Sequence, residues 1–80
     1  MSREFVIGNR SKAEWVSVLD TDKKELVFTS HLSEAKAYLQ EEDAQISLAE
    51  IQQTGYFSDL QIYLKKENKA FMINEQDSLI

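Results

Sequence analysis

Apolar spacing changes character twice along the chain, dividing it into strand, helix and strand regions. Phe5, Val6 and Ile7 form an apolar trio that stops at Gly8-Asn9, a pair suited to a turn because glycine accepts positive φ. In "EWVSVLD", Trp15, Val16, Val18 and Leu19 surround Ser17. That β-branched and aromatic content fits a buried strand. The polar stretch Asp20-Thr21-Asp22-Lys23-Lys24 then reads as a turn, and "ELVFT" (25–29) resumes strand character. Three short strands separated by turns predict an antiparallel meander.

After Thr29 the period moves from two toward 3.6. Leu32, Ala35 and Leu39 fall at i, i+3 and i+7, with Tyr38 beside them, and Ser30 or His31 stands where a cap belongs. Asp43 can cap a second run in which Ala44, Leu48 and Ile51 repeat, and Gly55 stands where a helix ends. The reading favours two short helices over one bent helix across 32–53. "DLQIYLKK" returns to alternation, with Leu60, Ile62 and Leu64 on one face and Gln61, Tyr63 and Lys65 on the other. "KENK" turns into "AFMIN", which can add a last strand. The predicted order is β-β-β-α-α-β with an optional final β: an α+β, two-layer sandwich with helices on one face of an antiparallel sheet.

Composition narrows the class. Residues 1–80 form one small α+β domain, since a chain this short has room for a single core and buries only about 60% of its unfolded surface. It is 42% hydrophobic, with one Trp, three Tyr and four Phe spread from end to end, which is too apolar for a disordered segment. Trp15, Phe28, Leu39, Leu48, Ile62 and Leu64 are the expected core. The chain has no cysteine, so neither a disulfide nor a thiolate zinc site is available. With no apolar run of membrane-spanning length and no signal-like start, the expected location is cytoplasmic, with no membrane partner.

Charge concentrates in the helical region. Glu34, Glu41, Glu42, Asp43 and Glu50 face Lys36 alone, so this stretch carries most of the formal net charge of −5. Consecutive acids fan around a helix rather than converging, and no glycine-centred calcium loop is present, so no metal site is expected. His31 is the only histidine and lacks a nucleophile or second ligand beside it, which points away from catalytic and two-histidine metal chemistry. The isolated Gly8 and Gly55 do not make a phosphate loop, and the scattered bases give no footprint for direct nucleic-acid binding. No catalytic residue and no cofactor are expected. The acidic residues are the candidate partner-binding face, on the reading that the chain is a non-enzymatic, protein-binding or regulatory module. The alternative is an acidic inhibitor that mimics a phosphate backbone and blocks a DNA- or RNA-binding protein.

The span from "ELVFTSHLSEAK" through "EEDA" to "GYFSDLQIYLK", about half the chain, resembles small accessory proteins of phages and prophages in Gram-positive bacteria. The matching residues are Leu32-Ser33-Glu34-Ala35-Lys36, Glu41-Glu42-Asp43-Ala44 and Gly55-Tyr56. The resemblance implies a short accessory protein and carries over no functional residue. Finally, a thin core and the apolar run Ala70-Phe71-Met72-Ile73 predict a homodimer, formed through a sheet edge or the last segment.

Overall fold

The computed structural model describes residues 3–20, 22–53, 55 and 57–73. Five strands, β1 (Glu4–Asn9), β2 (Glu14–Asp20), β3 (Glu25–Thr29), β4 (Gln61–Lys66) and β5 (Lys69–Met72), form one antiparallel sheet in the order β3-β2-β1-β4-β5. The α-helix α1 (Glu41–Gln52) lies between β3 and β4 in sequence. The predicted meander is present, and β3 has the bounds read from "ELVFT". The Asp20 carboxylate shapes the turn before it by accepting the backbone N–H groups of Asp22 and Lys23, and Lys24 takes positive φ. Of "AFMIN", Ala70, Phe71 and Met72 do join a fifth strand, which opens at Lys69 and is reached through Glu67 and Asn68, both at positive φ; Ile73 follows the strand and Asn74 lies outside the described residues. Such paired positive φ values suit a tight hairpin.

Successive residues of a strand point to opposite faces, and both faces of this sheet are covered. On the first face, Phe5, Ile7, Val16 and Leu64 pack with Ala44 and Ile51 of α1; Leu48, Phe28 and Ile62 are half-buried against them. On the second, Val6, Trp15 and Tyr63 pack with Ala35 and, at the margin, Leu32, Ala70 and Met72. Trp15 and Tyr63 meet edge to face with centroids 5.4 Å apart. Tyr63, placed on the polar side of β4 by alternation, is therefore a core residue of the second face.

Two expectations fail around residues 30–40. Leu32–Glu34 is one 3-10 turn, after which Ala35 is extended, so the first of the two expected helices does not form. Leu39, expected in the core, is 67% exposed. The reason is non-local. β1 and β2 share only the register pairs Gly8–Trp15 and Asn9–Glu14 before they diverge, leaving backbone groups of both strands without a ladder partner. The extended segment supplies them. Lys36 N–H donates to the Val16 carbonyl at 2.8 Å, and Phe5 and Tyr38 exchange both backbone bonds at 2.7 and 2.8 Å. A helix there would have spent those groups on itself. The chain thus crosses from the second face, at Ala35, to the first, at Tyr38. The two segments expected on one face lie on opposite faces.

Gly8 also differs from expectation. It sits inside β1, and the turn falls later, at the Arg10–Lys12 3-10 turn and Ala13, whose φ is 52°. Glycine is needed here for space: a Cβ would run into the Glu14 carbonyl oxygen and the Trp15 ring.

Candidate functional site

The acidic residues divide between two places. Glu41, Glu42 and Asp43 form the first turn of α1, and Glu50 follows on the same helix. Gln40, the cap residue, makes no side-chain bond to the helix start, so these carboxylates are the negative charge that complements the dipole and its unpaired N–H groups. Asp43, read as a cap, is instead a first-turn residue. Glu41 accepts a hydrogen bond from Gln45 at 3.0 Å, one turn along. Glu34 stands apart on the 3-10 turn, where it accepts the Thr29 hydroxyl at 3.0 Å. His31 is exposed and opens that turn, its backbone N–H donating to Thr29 Oγ1.

Helix geometry decides what surrounds the acids. Ala44, Leu48 and Ile51 define the inward stripe, and Ile46 lies about 200° around the axis from Ala44. Ile46 is accordingly 53% exposed. Its neighbours at i−4, i−3 and i+4 are Glu42, Asp43 and Glu50, all exposed. Leu39, just ahead of the helix, adds a second exposed apolar residue at the acidic end. A residue at that position can fold back to staple a helix start, yet this one stays out. The outer face of α1 is therefore an apolar knob among carboxylates. Sequence reading found the carboxylates but missed Ile46, although its offset from the Ala44–Leu48–Ile51 stripe carries the signal.

Tyr38 lies beneath the same helix. Its hydroxyl is buried, with no well-formed hydrogen bond among the described residues beyond the approach of the Ser47 hydroxyl, and the Lys36 ammonium lies 5.5 Å from the ring centre. Burial pushes the phenol pKa above its ordinary value of 10.0; Ser47 opposes the shift, and the Glu50 charge adds to it. The sign follows directly. A group with a raised folded pKa stabilises the fold fully below its unfolded pKa, and that contribution is lost as pH rises through the folded pKa. Wild-type stability should therefore fall more steeply above about pH 10 than that of Tyr38→Phe. Melting curves on the two proteins from pH 8 to 11 check this; parallel curves would contradict it.

Two other polar or open features are internally accounted for. Asn9 caps the Arg10–Lys12 turn through bonds from Ser11 and Lys12 N–H, and its amide donates to Asp59 at 3.1 Å. Lys12 reaches the same carboxylate at 2.9 Å. The Lys12 bond, then the Asn9 bond, hold Asp59 below the usual carboxylate range, while Asp59 raises Lys12. The cluster ties β1 to the loop before β4. A cleft of about 360 Å³ between α1 and the β4–β5 end is lined by Leu48, Leu60, Ile62, Met72 and Ile73, with Gln52 and Gln61 as its polar groups. Gln52 donates to the Phe57 and Leu60 carbonyls at 3.3 Å, so its amide closes the helix end onto the loop before β4.

Among the described residues, no helix is long and apolar enough to cross a membrane, and no group of three or more His, Cys, Asp or Glu could hold a metal ion. No family model, curated protein or solved structure matches this chain.

Proposed function

We propose that this chain is a non-catalytic protein-binding module whose working surface is the outer face of α1. The observation that carries this reading is Ile46, 53% exposed with Glu42, Asp43 and Glu50 around it. Such a surface fits a partner with an apolar recess bordered by lysines or arginines. The two chemistries divide the work. Carboxylates steer encounter and fix orientation at a strength that salt screens, while burial of Ile46 and Leu39 adds attraction that salt leaves intact. Glu34, on a separate turn and engaged with Thr29, lies outside this surface.

Capture from a cell lysate at low and physiological ionic strength tests the reading when three baits are compared. Wild type should retain a specific protein. Ile46→Ser with Leu39→Ser should lose it at both salts, and Glu42→Gln, Asp43→Asn and Glu50→Gln together should weaken it, most relative to wild type at low salt, and leave the remaining capture nearly indifferent to salt. The serine bait changes only exposed side chains and should melt close to wild type, whereas the neutralised bait should melt somewhat lower, because Glu42 and Asp43 complement the helix dipole. Capture indifferent to the apolar changes and abolished only by charge neutralisation would contradict the reading. It would fit a face that stands in for a phosphate backbone.

A further inference from the structure

We propose that two copies of this chain associate through β3, antiparallel about a two-fold axis at Val27, to make a continuous ten-stranded sheet. Of the two sheet edges, β3 is the unguarded one. β5 begins with Lys69, and the Arg10 guanidinium, lying 5.8 Å from the Tyr63 ring centre, donates to its Ala70 carbonyl at 3.2 Å. β3 has no proline, and its one charged residue, Glu25, stands at its start. The register shift that twists this part of the sheet belongs to β2, between Val16 and Val18, and leaves β3 itself regular. Among the described residues no strand pairs with the other side of β3, so its row of backbone donors and acceptors there can take another strand.

Side chains select a second copy as the occupant. Val18 and Val27 are register partners, 40% and 41% exposed, on the face opposite α1. Antiparallel pairing about Val27 sets it against its own copy and aligns the four valines in one row across the new seam. It sets half-buried Leu26 against the second copy's half-buried Phe28, extending the first-face core. Charge within the strand is compatible as well, since its one charged residue, Glu25, falls opposite the uncharged Thr29. The symmetry is isologous and closes at two copies. Because the strand has five residues, the seam is small and the association is concentration-dependent.

Light scattering on the full chain over about a hundredfold concentration range tests this. Wild type should rise from 9.3 kDa toward twice that mass. Val27→Lys and Val27→Glu should each hold the monomer mass across the range, because each places like charges together at the axis. An equimolar mixture should regain the dimer, since Lys then meets Glu. Val27 is already substantially exposed, and melting curves on each variant verify the fold. A constant wild-type mass, a dimer that survives Val27→Lys, or a mixture that stays monomeric would each overturn the proposal.

Discussion

Replacing Ile7 with alanine is expected to lower the unfolding free energy by about 2–5 kcal/mol, the range for emptying a well-packed aliphatic site. Ile7 is fully buried on β1, the central strand, opposite Ile62 of β4 and beneath α1. An 80-residue domain has only about 4–12 kcal/mol in total, so this one substitution removes a large share of it. Neighbouring side chains are held by the sheet ladder on one side and by the helix on the other, which limits how far the site can collapse. Denaturant titration measures the effect directly. Leu39→Ala is the matched control: its side chain is mostly in water, so a change within about 0.5 kcal/mol is expected. If the two variants unfold alike, the core is misassigned.

The second large effect is expected from Gly8→Ala. Adding one methyl group usually helps a strand, but here it would sit within 2.5 Å of the Trp15 ring and 2.9 Å of its Cα, as well as against the Glu14 carbonyl. Two of these three obstacles are backbone, so a rotamer change cannot relieve the clash. β1 and β2 must move apart, at a cost of about 1–3 kcal/mol for overpacking. They are paired through only two register positions, one of them Gly8–Trp15 itself, so the movement should carry Trp15 away from Tyr63. Trp15 is the sole tryptophan, which makes its fluorescence a local reporter. A lower melting temperature with a red-shifted emission is expected; wild-type stability with an unshifted spectrum would contradict the close approach.

Much of this fold is legible locally. Alternation at Leu60, Ile62 and Leu64 identifies β4, polar turns frame β3, and Ala44, Leu48 and Ile51 mark the inward stripe of α1. Residues 30–40 are different. Leu32, Ala35 and Leu39 have helical spacing, yet the fork between β1 and β2 demands donors and acceptors from Lys36 and Tyr38, and no local pattern encodes that demand. Gly8 shows the same limit, because a glycine before asparagine reads as a turn whether its freedom or its smallness is being used. Tyr63 reads as outward-facing until the second face is known to be covered by Leu32 and Ala35. The acidic part of the candidate surface is plain in "EEDA", whereas its apolar centre becomes visible only once the helix start fixes where Ile46 points. Glu34 is close to those acids in sequence, but it stands on the 3-10 turn, apart from the helix.

The most direct test of α1 as a recognition surface is the affinity of the captured protein for wild type and for Ile46→Ser, each titrated at low and physiological ionic strength. Fully burying an isoleucine is worth about 1.5–3 kcal/mol and Ile46, 53% exposed, has about half its surface left to bury, so the substitution should weaken binding by roughly threefold to tenfold at either salt. Salt should weaken both proteins in parallel, because the carboxylates are unchanged. Equal affinities for wild type and Ile46→Ser would contradict the account.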